Sequence, residues 1–173
     1  MEIQTLGRRA LLVLALVPLM ACSSISNGAS DMVSGLQKSM RAPGHNLSDF
    51  PEKVAEQYEC SRQRLPYFQL EENELLPIEL HSGGELNHRM VYALCADKPS
   101  GIVRGRLSTR IHYKGEPIVS DTIDDFEIQP GRWVVDSFVA LPETAPPGIY
   151  AYQVEFVGKG VRFNESLSFY VRE

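Results

Sequence analysis

From Leu75 to the C-terminus, apolar and polar side chains alternate in short runs that are separated by turn residues. The clearest run is residues 103–113, in which Val103, Leu107 and Ile111 share one face and polar side chains share the other. A period of two residues is typical of β-strands, and no helical period of 3.6 residues interrupts it. The alternation therefore restricts this part of the chain to an antiparallel, all-β fold.

Seven or eight strands are predicted from these runs, and turns rich in Gly and Pro join them. The runs that define strands most clearly are 75–80, 89–96, 103–113, 117–128, 133–140, 149–157 and 161–171. Pro77 indicates an edge or irregular strand, because proline donates no hydrogen bond to a neighbouring strand. We expect the strands to form an antiparallel β-sandwich, in which two sheets bury a shared apolar interior.

The loop between two of the predicted strands carries a family resemblance. The stretch from Leu141-Pro142 to Gly148-Ile149-Tyr150 resembles the crossing loop of immunoglobulin-like and fibronectin-like domains. The resemblance implies an immunoglobulin-like sandwich, in which a tyrosine after the crossing bonds back to the loop. Tyr150 is the candidate for that role, and Tyr152 is the alternative. The positions of the cysteines depart from the Cys-Trp-Cys arrangement of antibody domains.

The N-terminus has the features of an export signal. Arg8 and Arg9 precede an apolar run over residues 10–20, which is too short to span a bilayer. A basic start followed by a short apolar run is typical of a secretory signal peptide, which we expect at residues 1–21. This segment is removed in the mature protein and takes no part in the fold.

The residues at the predicted cleavage site resemble the lipobox of bacterial lipoproteins, since Leu19-Met20-Ala21-Cys22 places a small residue and then Cys after Leu. The resemblance implies that the Cys22 thiol receives diacylglycerol and that its amino group is acylated after cleavage. Two or three acyl chains hold a protein firmly on a membrane. Ser23 follows instead of Asp, which implies the inner leaflet of the outer membrane, facing the periplasm. The alternative is an ordinary secreted protein.

Residues 22–47 are rich in Ser, Gly, Asn and Met and predict a flexible tether, with a short helical stripe from Met32 to Met40 as the alternative. Residues 48–173 are then expected to hold a short helix and the sandwich. Ser48 or Asp49 would cap that helix, Pro51 suits its first turn, and the helix would continue to about Tyr58.

Two cysteines remain after Cys22 is assigned to lipid. An even number of cysteines in an oxidising compartment is typical of disulfide bonding, so Cys60 and Cys95 are predicted to form one disulfide. A metal or redox pair is the alternative, although no Cys-x-x-Cys motif occurs.

The composition and motifs disfavour several function classes. The net charge of −5 argues against broad nucleic-acid binding, which uses a basic surface. No serine-hydrolase elbow, phosphate-binding loop or zinc-protease motif occurs. Asp124 and Asp125 are adjacent on a predicted strand, so they point to opposite faces and make a poor acid–base pair. We therefore expect a protein that is not an enzyme and that needs no cofactor.

Histidines near the Gly83-Gly84 turn are weak candidates for a metal site. His81, Glu85 and His88 flank the turn, and His112 would be a fourth ligand. Zinc prefers at least three ligands in tetrahedral geometry, which a wide loop does not readily supply. The alternative, which we favour, is exposed loop histidines and no metal.

A stripe of arginines is the most suggestive surface feature. Arg104, Arg106 and Arg110 share one face of the predicted strand 103–113 and fit an acidic protein, a phosphorylated lipid head group or a glycan. The structural alternative is pairing across the sheet with acidic residues of the next strand, namely Asp121, Asp125 and Glu127.

The sequence as a whole predicts a lipid-anchored cell-envelope protein that acts as a protein-interaction or assembly module. Its partners would be the membrane, through acylated Cys22, and an envelope protein. The alternative is a lipoprotein that faces the periplasm and binds a small ligand or a metal.

Overall fold

The computed structural model describes residues 41–173. The predicted signal peptide, the lipidation site at Cys22 and residues 22–40 of the predicted tether lie outside the described residues. Within residues 41–173, no helix is long and apolar enough to cross a membrane.

Nine strands and one short helix make up the described chain. One helix, α1 (Pro51–Gln57), follows the first strand, and a single 3₁₀ turn (Cys60–Arg62) follows the helix. The strands are β1 (Gly44–Asp49), β2 (Tyr67–Leu76), β3 (Glu79–His81), β4 (Glu85–Cys95), β5 (Val103–Tyr113), β6 (Glu116–Ile128), β7 (Gly131–Ala140), β8 (Gly148–Gly158) and β9 (Val161–Arg172).

The strands form two sheets that pack face to face. Sheet A has the order β1-β7-β4-β2, and sheet B has the order β3-β9-β8-β5-β6. Every pairing is antiparallel except that of β3 with β9, which is parallel. The predicted all-β sandwich is confirmed, with nine strands where seven or eight were expected.

The strand order matches that of immunoglobulin-like domains. Reading β2, β4, β7 and β1 as strands A, B, E and D gives one sheet of that fold, and β9, β8, β5 and β6 give the G, F, C and C′ strands of the other. The N-terminal strand β1 thus occupies the position that strand D takes in that fold.

The start of the domain differs from the prediction. β1 begins at Gly44, inside the range that was expected to be a tether. It was not predicted because its polar sequence carries no alternation signal. The helix begins after Phe50, whose side chain makes no cap, since Asp49 belongs to β1. Residues 67–74 of β2 were also missed, because a bulge between Leu70 and Glu72 changes the phase of its alternation.

The interior between the sheets is dense in aromatic side chains. Tyr92, Tyr150, Tyr152 and Phe156 are almost completely buried there. Phe163 of β9 stacks on Phe68 of β2, with ring centroids 5.2 Å apart, and on Phe156 of β8, with ring centroids 5.8 Å apart. Rings of this size bury large apolar areas, so they dominate the stability of the sandwich.

A second, smaller apolar cluster lies on the outer face of sheet A. Val54 of α1 is fully buried against Ala93 and the bonded pair Cys60–Cys95, whose Cα atoms are 5.6 Å apart. The predicted pairing is therefore supported, and it fixes α1 and the 3₁₀ turn to β4.

The crossing loop is fixed as the family resemblance implies. The Tyr150 hydroxyl donates a hydrogen bond of 2.6 Å to the carbonyl of Pro146, four residues upstream. The Tyr113 ring stacks on Tyr150 at 4.6 Å and its hydroxyl donates to Pro147. Tyr150 therefore takes the tyrosine-corner role, and Tyr152 lies in the interior instead.

Candidate functional site

Each arginine of the stripe on β5 has an acidic partner. Arg104 pairs with Glu127 at 2.6 Å, Arg106 with Asp124 at 2.7 Å, and Arg110 with Glu155 at 3.5 Å. The structural alternative for the stripe is thus supported, because all three guanidinium groups are engaged on the outer face of sheet B.

Two of the partners differ from those expected. A bulge between Gly105 and Leu107 brings Asp124, rather than Asp125, beside Arg106. Arg110 turns to β8 rather than to Asp121 of β6. The side chains of Arg104 and Arg106 are about two-thirds exposed, at 65% and 66%, so these ion pairs add little to stability. Their main effect is to neutralise the stripe.

The same outer face carries an exposed apolar cluster at its other end. Ile149 of β8 is 72% exposed and lies directly opposite Tyr170 of β9, which is also exposed. The Tyr170 amide also donates to the carbonyl of Ile78, the residue before β3. We call Ile149 and Tyr170 the apolar patch.

Between the patch and the arginines, the surface is shallow and lined by small side chains. Ala151, Ser166 and Ser168 form the floor of a groove beside Ile149. Within residues 41–173, no helix covers this outer face of sheet B. The face therefore combines an apolar end, a groove of small residues and a neutralised charged end.

The outer face of sheet A is organised differently, around Arg132 of β7. Its guanidinium binds Glu71 of β2, Asp49 of β1 and Gln57 of α1. The hydrogen bond from Arg132 lowers the pKa of Glu71, and hydrogen bonds from Lys53 and Arg132 lower that of Asp49. One side chain thus joins two strands and the helix.

A second network continues along sheet A. Arg89 binds Asp136 through two hydrogen bonds of 3.0 and 2.8 Å. Burial would raise the pKa of Asp136, but the hydrogen bonds from Arg89 and Asn87 outweigh it and lower the pKa. Arg41, with a side chain only 8% exposed, lies over Asn87 and binds both it and Glu74. These contacts bury polar groups with their partners.

The structure separates the histidines that were considered as metal candidates near the Gly83-Gly84 turn. His81 is exposed on β3 in sheet B, whereas His88 is buried on β4 in sheet A. Glu85 and His88 lie three positions apart on β4, and because side chains alternate along a strand they point to opposite faces of the sheet. Among residues 41–173, no three His, Cys, Asp or Glu side chains come together as a metal site. The expectation that His88 is an exposed loop residue was wrong.

His88 faces the sandwich interior and is 4% exposed. Its Nε2 lies 2.6 Å from Oδ1 of Asn73, and its ring lies 4.7 Å from that of Tyr152. Burial lowers the pKa of His88 to about 4, although the charge of Asp136 opposes the shift. His88 is therefore neutral near pH 7 and donates from Nε2 to Asn73.

A cleft of about 300 Å³ opens between the two sheets where β1 and β7 face β6, and we call it the interlayer cleft. Apolar side chains form most of its walls, and polar residues from several strands also line it. The lining includes Met90, Leu107, Ile123, Phe126 and Val154, with His88, Thr109, Ser137 and Tyr152. Cavities of this kind are typical of small-ligand sites.

The cleft arises because β1 is short. β1 pairs with β7 only between Arg132 and Asp136, whereas β7 continues to Ala140. Ile123 of β6, which is paired with inward-facing Leu107, is consequently 47% exposed. The mouth of the cleft is thus the part of the sandwich that β1 leaves uncovered.

His45 of β1 closes the other end of this opening. Its ring lies 4.7 Å from that of Trp133 and stacks on Phe126 at 5.6 Å. The Tyr92 hydroxyl accepts from the Gln129 amide and shares a hydrogen bond of 2.7 Å with His45 Nε2. Burial lowers the pKa of His45, and the charge of Glu127 opposes that shift.

Sequence reasoning missed the roles of His45, Arg132 and Tyr152. His45 and Arg132 interact with residues that are distant along the chain, so no local pattern marks them. Tyr152 carried a signal, because the alternation of Tyr150, Tyr152 and Val154 placed its polar hydroxyl on the buried face. A buried tyrosine without an evident partner is the feature that could have indicated the cleft.

Comparisons with known proteins assign this chain to no family. No family model matches the chain, and no curated protein matches it. Similar solved structures include a family 123 glycoside hydrolase from Clostridium perfringens, which is 18% identical with a TM-score of 0.41. The match covers 54% of this chain and 22% of the hydrolase.

Two further structures are similar to a comparable extent. An alkylpurine DNA glycosylase from Pseudomonas fluorescens is 16% identical, with a TM-score of 0.43, over 61% of this chain and 30% of the glycosylase. A sporulation control protein from Bacillus subtilis is 18% identical, with a TM-score of 0.45, over 61% of this chain and 49% of that protein. The chain spans less than half of each of these proteins, and the likeness carries no information on function.

Proposed function

We propose that this chain is a lipid-anchored cell-envelope protein whose sandwich domain binds a protein partner and catalyses no reaction. The lipobox-like segment that ends at Cys22 supports anchoring on the inner leaflet of the outer membrane, facing the periplasm. The observation that carries the interaction is the apolar patch on the uncovered outer face of sheet B.

The patch has the chemistry of an interface centre. Ile149 and Tyr170 are adjacent, exposed and held on a rigid sheet, so little conformational entropy is lost when a partner covers them. Contiguous exposed apolar groups with a polar surround are characteristic of protein contacts. The paired arginines of β5 supply a polar surround, and the small side chains between them allow close approach.

Binding rather than catalysis is favoured by the state of the acidic groups. Asp124, considered earlier as part of an acid–base pair, is held by Arg106, and Asp136 is held by Arg89. Although burial opposes the shift, the hydrogen bonds from Arg89 and Asn87 lower the pKa of Asp136, which makes it a weaker general base. The Arg106 guanidinium occupies lone pairs of Asp124.

Photo-crosslinking in cells tests the interaction surface. A photoreactive amino acid replaces Ile149 in the full chain, and a matched variant carries it at Phe50, which is 68% exposed at the start of α1. We expect a defined protein adduct from position 149 and none of that size from position 50. The absence of an adduct, or the same adducts from both positions, would contradict the proposed surface.

The anchor is tested by the Cys22→Ala variant. We expect wild-type protein to incorporate labelled palmitate and to sediment with outer membranes, whereas the variant takes up no label. The position-149 adduct should become weaker in the unanchored variant, because the anchor raises the local concentration of the domain near its partner. Palmitate labelling of Cys22→Ala would overturn the assignment.

A further inference from the structure

The interlayer cleft has the size and lining of a site for a small molecule, and it lies apart from the apolar patch. Its volume of about 300 Å³ is at the lower end of the usual range for ligand cavities. The apolar walls come from both sheets, with Met90 on β4 and Leu107 and Val154 on sheet B. An occupant would therefore be enclosed on two sides by rigid strands.

The Tyr152 hydroxyl supplies an independent indication of a ligand. Tyr152 lines the cleft, is 1% exposed, and its hydroxyl has no hydrogen-bond partner among the described residues. The hydroxyls of Thr109 and Ser137 are near enough to oppose the burial-driven rise in the pKa of Tyr152, but neither reaches hydrogen-bond geometry with it. A buried hydroxyl without a partner is costly and rare in native proteins.

The charges around the cleft restrict the chemistry of its occupant. His88 is neutral near pH 7 and is already bound to Asn73, while Asp136 is neutralised by Arg89. Asp121 lies exposed at the mouth, where it repels anions. Among the described residues, no lysine or arginine lines the cleft, and burial lowers the pKa of the two histidines that do, so a carboxylate or phosphate would be buried without a counter-charge.

From this geometry we propose that the interlayer cleft binds a small, uncharged and mostly apolar molecule that carries one hydroxyl or carbonyl group. The apolar part fills the space between Met90, Leu107 and Val154, and the polar group bonds to the Tyr152 hydroxyl. This site is additional to the protein-binding face, and neither requires the other.

A pair of fluorinated probes tests the site in the acylated full chain, reconstituted in nanodiscs. The probes are 6-fluoro-2-naphthol and 2-fluoronaphthalene, which differ by the hydroxyl, and fluorine NMR follows binding against empty nanodiscs. We expect saturable binding of the naphthol in the range from about ten micromolar to about one millimolar for a molecule of this size. The naphthalene should bind about fivefold more weakly, because it lacks one hydrogen bond.

The Tyr152→Phe variant removes the hydroxyl alone. We expect it to bind both probes equally, at the affinity of the naphthalene, and to unfold at a temperature no lower than wild type. Undiminished preference for the naphthol would overturn the role of Tyr152. A clear fall in melting temperature would show that the hydroxyl has a structural partner, which also contradicts the proposal.

A matched pair of blocking variants locates the site. Ile123→Trp places an indole at the mouth of the cleft, and Ile149→Trp places one on the outer face of sheet B; both positions are exposed in the wild type. Naphthol binding should fall at least tenfold in Ile123→Trp and remain unchanged in Ile149→Trp. Absence of saturable binding to wild type, or equal binding by both variants, would overturn the cleft as the site.

Discussion

The two outer faces of the sandwich use similar residues for different ends. On sheet A, α1, the bonded cysteines and Arg41 lie over the strands, and the Arg132 side chain is only 15% exposed among its partners. On sheet B, the arginines of β5 have acidic partners of the same kind but stand about two-thirds in solvent at Arg104 and Arg106. Burial, and not the presence of an ion pair, distinguishes the two faces.

An arginine that is paired with a carboxylate can therefore have either of two structural roles. A partly buried guanidinium that joins three elements, as Arg132 does, fixes their relative positions, because removing it leaves partly buried carboxylates without a counter-charge. An exposed pair contributes little to stability, and it keeps a flat sheet soluble while leaving that face accessible. We therefore interpret sheet A as the braced side and sheet B as the presenting side.

Removal of the Cys60–Cys95 bond is expected to have the largest effect. The two residues are 35 positions apart, and closing a loop of that length stabilises a fold by about 4 kcal/mol in the chain-entropy model. The Cys60→Ala/Cys95→Ala variant should lose about that much free energy of unfolding in a urea titration of the full chain. Unchanged stability would mean that α1 and the 3₁₀ turn do not brace sheet A.

A pH titration probes the interior between the faces. The pKa of His88 is about 4 in the folded protein and 6.5 in the unfolded chain, so the unfolded chain binds more protons between these values. The contribution of neutral His88 to the free energy of unfolding is fully present above pH 6.5. It should fall by about 3 kcal/mol as the pH drops from 6.5 to 4. Urea unfolding at each pH measures this.

The His88→Gln variant is the control for that titration. The variant should lose less stability than the wild type over this pH range, because it lacks the buried histidine. The part of the loss that comes from His45, whose pKa burial also lowers, should remain. If the variant and the wild type lose stability in parallel between pH 6.5 and 4, His88 is not the buried group that titrates.

The smallest expected effects come from replacing one arginine on each face. They compare directly how much the two faces contribute to stability. Arg132→Met leaves Asp49 and Glu71 without their shared partner and should destabilise the fold by about 2 kcal/mol. Arg104→Met removes one exposed pair and should cost less than about 1 kcal/mol. Equal losses in urea unfolding would remove the distinction between a braced and a presenting face.

The sequence predicted those elements whose alternation is uninterrupted. β5 was predicted from Val103 to Tyr113 and occupies those residues, because every second side chain enters the interior. The predicted strand 75–80 overlaps β2 only at Leu75 and Leu76, since the bulge after Leu70 shifts the inward set of side chains by one residue. β1 was missed because five of its six residues carry no apolar side chain, so its pairing with β7 is set by tertiary contacts.

The candidate sites were less predictable than the fold. The arginine stripe was visible in the sequence, but the bulge that selects Asp124 as a partner was not. The interlayer cleft depends on where β1 begins relative to β6 in the opposite sheet, and no local sequence pattern encodes that position. The bonded pair Cys60–Cys95 was predictable because counting cysteines in an oxidising compartment needs no knowledge of topology.

The position of β1 has a mechanical consequence. Any pull on the chain before residue 41 reaches the sandwich first through Arg41 and then through β1. Arg41 grips β2 and β4, and Asp49 at the far end of β1 is bound by Arg132. A load must break these contacts and the ladder between β1 and β7 before it reaches the aromatic interior. Under such a load we therefore expect β1 to separate from β7 before the rest of the domain unfolds.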